Sequence, residues 1–228
     1  MSQITNTTFD FLNDLKENNH KEWFQANKKR YEASHAEVIA FADELLSQVN
    51  EFDVIETASG KKSLMRIYRD IRFSKDKTPY KSHWAGGFRR AGADRRGGMY
   101  FHIQPGNKSM IGGGFWGPNK EDLLLIRNQI ASDAQPLRDV LSSEAFTSYF
   151  GRMNGEQVKT APKGFAKDHE NIDLLKYKQY LISKTFSDDE VLSADFVGLV
   201  AKGFKQMLPF FDCFTDYLTT TLNGESII

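Results

Sequence analysis

Between Arg66 and Lys81 the chain reads RIYRDIRFSKDKTPYK, with arginines at every third place (Arg66, Arg69, Arg72) and lysines at Lys75, Lys77 and Lys81. Guanidinium groups bind carboxylate or phosphate through paired N–H donors, and lysine adds a compact point charge. The segment therefore predicts a site for a small anionic ligand bearing phosphate or carboxylate. Period-two alternation puts Met65, Ile67, Ile71 and Phe73 on one face of a strand, with Arg69 intruding among them. The other face carries Arg66, Tyr68, Asp70 and Arg72. A helix competes, since Ile67 and Ile71 are also four apart. A charge on an apolar face is costly unless paired, so Arg69 needs a carboxylate or a bound anion. Thr78 is held extended by Pro79, a bend that folds Lys75, Lys77 and Lys81 back toward the arginines. The plainer alternative is a solvated face neutralised by Asp70, Asp76 and acids from neighbouring helices.

Tyr80, Tyr100, His102 and Trp116 are the side chains expected to shape such a pocket. His102 shares the polar face of MYFHIQ with Tyr100 and Gln104, which makes it a weak candidate for general acid or base. A histidine on a polar strand face is more often ordinary. The run GGGFWGPN, Gly112 to Asn119, leads into a helix and suits either close approach of an anion or a crowded strand crossing. No P-loop is present, because GKKS at Gly60 lacks the upstream glycine. Ser74 and Ser59 each begin an S-x-x-K, but without K-T-G or S-D-N the match is chance. His20, His35, His83, His102 and His169 show no ligand spacing, so neither a metal nor a cofactor is expected. Cys213 is the single cysteine. It excludes an internal disulfide and reads as an inert buried thiol. Whether the protein is an enzyme is left open by these residues.

The net charge of the 228-residue chain is zero, yet residues 61–96 hold twelve basic and three acidic side chains. That asymmetry speaks to partners rather than to fold. A neutral total weighs against nucleic acid, which is the least favoured partner. No stretch reaches the ~18 apolar residues of a membrane span, and the N-terminus lacks a signal-peptide pattern. No membrane partner and a cytoplasmic location are expected. Oligomeric state is not readable.

The elements that must position these groups follow from period and punctuation. Residues 1–50 read as two helices, the second opening on a capping box of Asn19 and Glu22 and burying Phe24, Tyr31, Val38, Phe41, Leu45 and Val49. Residues 64–116 read as the sheet core: the basic segment, HWAGGFRR, and a hairpin of MYFHIQ and KSMIGGGFW about a Pro-Gly-Asn turn. Residues 119–228 read as mostly helical, with Asn119 as a cap and a short helix after Pro136. An extended arm, EQVKTAPKGF, and a strand in YKQYLISKTF interrupt them. Ser187 and Glu190 box the start of a Phe-rich helical end, which Pro209 kinks or divides. The expected architecture is α+β, a single domain over 1–228 with a central antiparallel sheet covered by N-terminal and C-terminal helices.

FLNDLKENNHKEWFQANKKRYE, RDIRFSKDKTPYK, YFHIQPGNKSMIGGGFWGP, APKGFAKDHENIDLLKYKQY and PFFDCF together resemble a bacterial family of conserved hypothetical proteins, domain of unknown function 2461. The resemblance spans nearly the whole chain and implies one intact domain. It brings no activity, substrate or cofactor. Three functional classes follow. The first is binding of, or catalysis on, a small anion; the second is a non-catalytic protein-interaction domain; the third is nucleic-acid contact.

Overall fold

The computed structural model describes residues 2–228. The chain divides into two compact units. One holds the described residues through Phe88, with Tyr100–Ile111 and Thr185–Lys202. The other holds Arg89–Met99, Gly112–Lys184 and Gly203–Ile228.

In the first unit α1 (Asn6–Glu17) starts at Thr5, whose hydroxyl accepts from the Thr7 N–H. Its buried stripe is Phe9, Phe11, Leu12 and Leu15. Glu37 accepts from the hydroxyls of Thr5 and Thr8, each at 2.8 Å, which satisfies the buried Thr8. Two helices follow where the sequence suggested one. α2 (Lys21–Ala26) is capped by His20, and α3 (Lys28–Val49) begins after a break at Asn27. Asn19 is not the cap because its amide is engaged elsewhere: it donates to the Tyr80 carbonyl at 2.9 Å and accepts from the Tyr80 N–H at 3.0 Å. α3 buries Val38, Phe41, Ala42, Leu45, Leu46 and Val49 at helical spacing. One further turn, α4 (Gly60–Ser63), lies so close to α3 that a Cβ on Gly60 would sit 2.6 Å from the Ala42 carbonyl carbon.

Four strands form the sheet: β1 (Trp84–Arg89), β2 (Gly98–Ile103), β3 (Ser109–Phe115) and β4 (Tyr180–Phe186), antiparallel and ordered β1-β2-β3-β4. The β2–β3 hairpin turns through Gly106 and Asn107, both at positive φ. The Asp188 carboxylate accepts from the N–H groups of Gly106 and Asn107 at 2.8 and 2.9 Å. Met99, Phe101 and Ile103 of β2 point inward, alternating as the sequence predicts. Phe101 packs edge-on to Phe41 and against Phe88, and each such ring removes apolar surface worth about 1.5–3 kcal/mol.

The basic segment does not join this sheet as a strand. Residues 64–73 make only isolated bridges, Leu64 with Gly86 and Tyr68 with Tyr80. Side chains within the segment take up its own backbone groups, and such local bonds compete with a ladder.

The second unit contains α5 (Lys120–Ser132), α6 (Gln135–Ser142), α7 (Glu144–Phe150) and the single turn α8 (Ile172–Leu175). Asn119 caps α5, accepting from the Asp122 N–H at 2.7 Å. The first unit's segment Thr185–Lys202 carries α9 (Asp188–Leu192), opened by the Ser187–Glu190 capping box, and the start of α10 (Phe196–Thr219), which continues into the second unit. Pro209 does not divide α10, which runs through it as one helix. Phe210, Phe214, Phe115 and Tyr180 form the second unit's aromatic core, with centroids 4.8–4.9 Å apart. Gly113 faces Phe211 and Met207, whose atoms would lie 2.5 and 2.6 Å from an added Cβ. The glycine run is thus a crowded crossing of strand and helix, the plainer of its two readings.

Candidate functional site

The arginines of the opening segment hold the segment itself. Arg69 donates Nη1 to Asp76 Oδ2 at 2.5 Å, to the Thr78 carbonyl at 3.1 Å and to the Thr78 hydroxyl. Asp76 also accepts from the Thr78 N–H at 2.9 Å. That backbone bond, then Arg69, brings the Asp76 carboxyl down to about 2. Arg72 forks onto Asp70 with bonds of 2.9 and 2.6 Å. The Lys77 ammonium donates to the Ile71 carbonyl and that of Lys81 to the Arg66 carbonyl, each at 2.9 Å. Arg66 and Lys75 are exposed, and neither forms an ion pair among the described residues.

Tyr80 belongs to the core: it is 4% exposed and stacks on Phe24 at 4.0 Å. Tyr68 leans on both rings yet stays 54% exposed. Trp116 is exposed at the end of β3, in the second unit. Farther along, Arg90 is buried and reaches Asp212 at 3.0 Å, while Arg96 meets Asp122 at 2.5 Å. Much of the positive charge seen in the sequence is therefore spent on closing the fold.

The polar face of β2 arranges its groups differently. Tyr100, His102 and Gln104 stand two apart and form a hydrogen-bonded row. The Tyr100 hydroxyl lies 3.1 Å from His102 Nδ1, and His102 Nε2 lies 2.7 Å from Gln104 Oε1. An amide oxygen only accepts, so the consistent assignment puts the proton on Nε2 and makes Nδ1 the acceptor from Tyr100. His83, just before β1, stacks on His102 with centroids 4.2 Å apart. Its ring nitrogens find no hydrogen-bond partner among the described residues. Burial, then His102 and the Lys81 charge, push His83 down to about 4. Burial also lowers His102 against the opposing bond from Gln104. Both rings are neutral at pH 7. Sequence reasoning singled out His102 and Tyr100 but passed over His83, whose one signal was its place at the head of a predicted strand.

Gln104 ends the row at a cleft of about 460 Å³. α1 contributes Asn6, Asp10, Asn13 and Lys16; Ser82, Lys108 and Asp188 complete the polar lining, above Phe9, Leu12 and Leu192. Asn6, Asp10 and Asn13 fall at i, i+4 and i+7, one stripe of the helix. Gln104 Oε1 is engaged by His102, and its NH₂ forms no hydrogen bond among the described residues. Asp188 is already held by the hairpin amides. None of Arg66, Arg69, Arg72, Lys75, Lys77, Tyr80, Lys81, Tyr100 or Trp116 lines this cleft. Among the described residues no three of His, Cys, Asp and Glu converge to hold a metal ion, and no helix is long and apolar enough to cross a membrane.

No curated protein and no solved structure matches the chain. The family model described as Conserved hypothetical protein (DUF2461) matches residues 7–213, the span of both the hairpin and the basic loop, and the chain belongs to that family.

Proposed function

We propose that the protein binds a small anionic ligand, phosphate- or carboxylate-bearing, in the cleft at the end of β2. The observation that carries this reading is the Gln104 amide, whose oxygen is engaged by His102 while its NH₂ stays available to donate. Lys16 and Lys108 supply positive charge on the same lining, and Asn6, Asn13 and Ser82 add neutral hydrogen-bonding groups. The cleft's size suits a small molecule, and its apolar floor suits a ligand with a short carbon frame. Arg69 and Arg72 take no part, since Asp76 and Asp70 occupy them.

A thermal-shift series with phosphate, sulfate, citrate and succinate tests this. A ligand at a hundred times its Kd stabilises by about 2.7 kcal/mol. At least one anion is expected to raise Tm, the rise being lost in Lys16→Ala/Lys108→Ala and in Gln104→Glu but kept in Arg69→Ala. No rise with any anion, or a rise lost only in Arg69→Ala, overturns the proposal.

A further inference from the structure

The loop from Arg69 to Thr78 carries the most exposed large apolar side chain among the described residues, Phe73, at 96% exposure. Tyr68, at 54%, lies five positions before it. A ring left this open in a slack tail would mean little. Here the loop is closed by Arg69 on Asp76 and Thr78, by Arg72 on Asp70 and by Lys77 on the Ile71 carbonyl. The clasp therefore presents Phe73 in a set position, so binding there loses less ordering entropy. The Arg72 guanidinium, held by Asp70, lies 5.9 Å from the Phe73 ring centroid. Arg66, Lys75 and Lys77 flank these rings in sequence, are exposed and form no ion pair among the described residues, although Lys77 also donates to the Ile71 carbonyl.

Aromatic platforms alternating with unpaired cations are the chemistry of single-stranded nucleic acid. Each base offers a π-face, and each phosphate takes an ammonium or guanidinium. We propose that this loop binds single-stranded nucleic acid, one base stacking on Phe73, a second on Tyr68, with Arg66, Lys75 and Lys77 on the backbone phosphates. The chain's neutral total weighs against an extended nucleic-acid track but not against contact by one loop, because the charge that matters sits within a Debye length of the strand. A bilayer fits less well: Asp70, Arg72 and Asp76 interrupt the apolar surface between and beside the rings. Duplex DNA hides the base faces that the rings would meet.

Fluorescence anisotropy of labelled oligothymidylate and oligouridylate, read at low and rising salt, decides the matter. Binding is expected at low salt, with a log–log salt slope of about −2, the value for three phosphate contacts on a single strand. Phe73→Ala is expected to weaken binding about tenfold and Tyr68→Ala by a similar factor, as loss of one stacked base does. Lys75→Glu/Lys77→Glu removes binding, while Lys16→Ala/Lys108→Ala in the cleft leaves it unchanged. Circular dichroism of each variant checks the fold. The proposal is overturned by no binding at low salt, by binding indifferent to Phe73→Ala, or by tighter binding to duplex than to single strand. Adsorption to phosphatidylserine vesicles without oligonucleotide binding overturns it as well.

Discussion

His83 and His102 lie ring against ring at 4.2 Å, both uncharged, and a proton on either would set a cation against its neighbour. His83 sits at about 4 when folded, against an ordinary value of 6.5. Between those values the unfolded chain binds more protons than the folded one, so stability rises with pH across that window. The contribution is complete above pH 6.5 and is lost as pH falls toward 4. After discounting for partial exposure it amounts to about 1–2 kcal/mol. Urea unfolding at a series of pH values is expected to show this slope, and His83→Gln to flatten it. An unchanged slope in the variant would assign the effect to other groups.

Arg69→Ala is expected to leave global stability nearly unchanged, since an exposed pair of this kind is worth about 0–1 kcal/mol. The local effect is larger. With the clasp on Asp76 and Thr78 gone, limited trypsin digestion should cut after Lys75 and Lys77 several-fold faster than in the parent. Equal digestion rates would show that the loop is held by other means.

Gly114 has φ 126°, and a Cβ there would strike the Tyr180 carbonyl oxygen. Gly114→Ala is expected to cost about 3 kcal/mol from backbone strain and the clash together. Gly113→Ala, pressed on Phe211 and Met207, should cost about 1–3 kcal/mol by overpacking. Gly117 has open space around it, so Gly117→Ala should be close to neutral. Chemical denaturation of the three variants checks the order.

Asn19→Ala removes both partners of the Tyr80 peptide groups. Leaving two part-buried backbone groups unsatisfied is expected to cost about 1–3 kcal/mol. Asn19→Asp, which keeps the acceptor and loses the donor, should fall between. Equal stability of all three proteins by denaturation would show that water replaces the amide without loss.

Where a face is buried at a regular period, the sequence was readable. Phe41, Leu45 and Val49 mark α3, Met99, Phe101 and Ile103 mark β2, the Pro-Gly-Asn turn ends β2, and the Ser187–Glu190 box opens α9, a short helix separate from the Phe-rich α10 it was expected to start. Residues 64–73 misled because Met65, Ile67, Ile71 and Phe73 alternate like a strand. Alternation records only the order of side chains, and it cannot register that Asp70 and Asp76 lie within reach of Arg72 and Arg69. The α1–α2 boundary was misplaced for a related reason. Asn19 has the residue type of a cap, but its partner is Tyr80, sixty-one positions away. The shared polar face of Tyr100, His102 and Gln104 was legible from the alternation of β2, whereas the candidate cleft beside it was not. Asn6, Asp10 and Asn13 look like any solvated helix stripe until the hairpin and Asp188 come up beside them.

The pairing of Asn19 with Tyr80 has a consequence for association. Arg69 N–H bonds the Pro79 carbonyl and Lys81 N–H bonds the Ile67 carbonyl, so Tyr68 and Tyr80 face one another as a non-hydrogen-bonded pair. In such a pair the residue's own N–H and C=O point outward, away from its partner strand. Those of Tyr80 would offer an incoming strand from another molecule a place to add. Asn19 fills both with one side-chain amide, acting as a strand a single residue long that ends the ladder on that side.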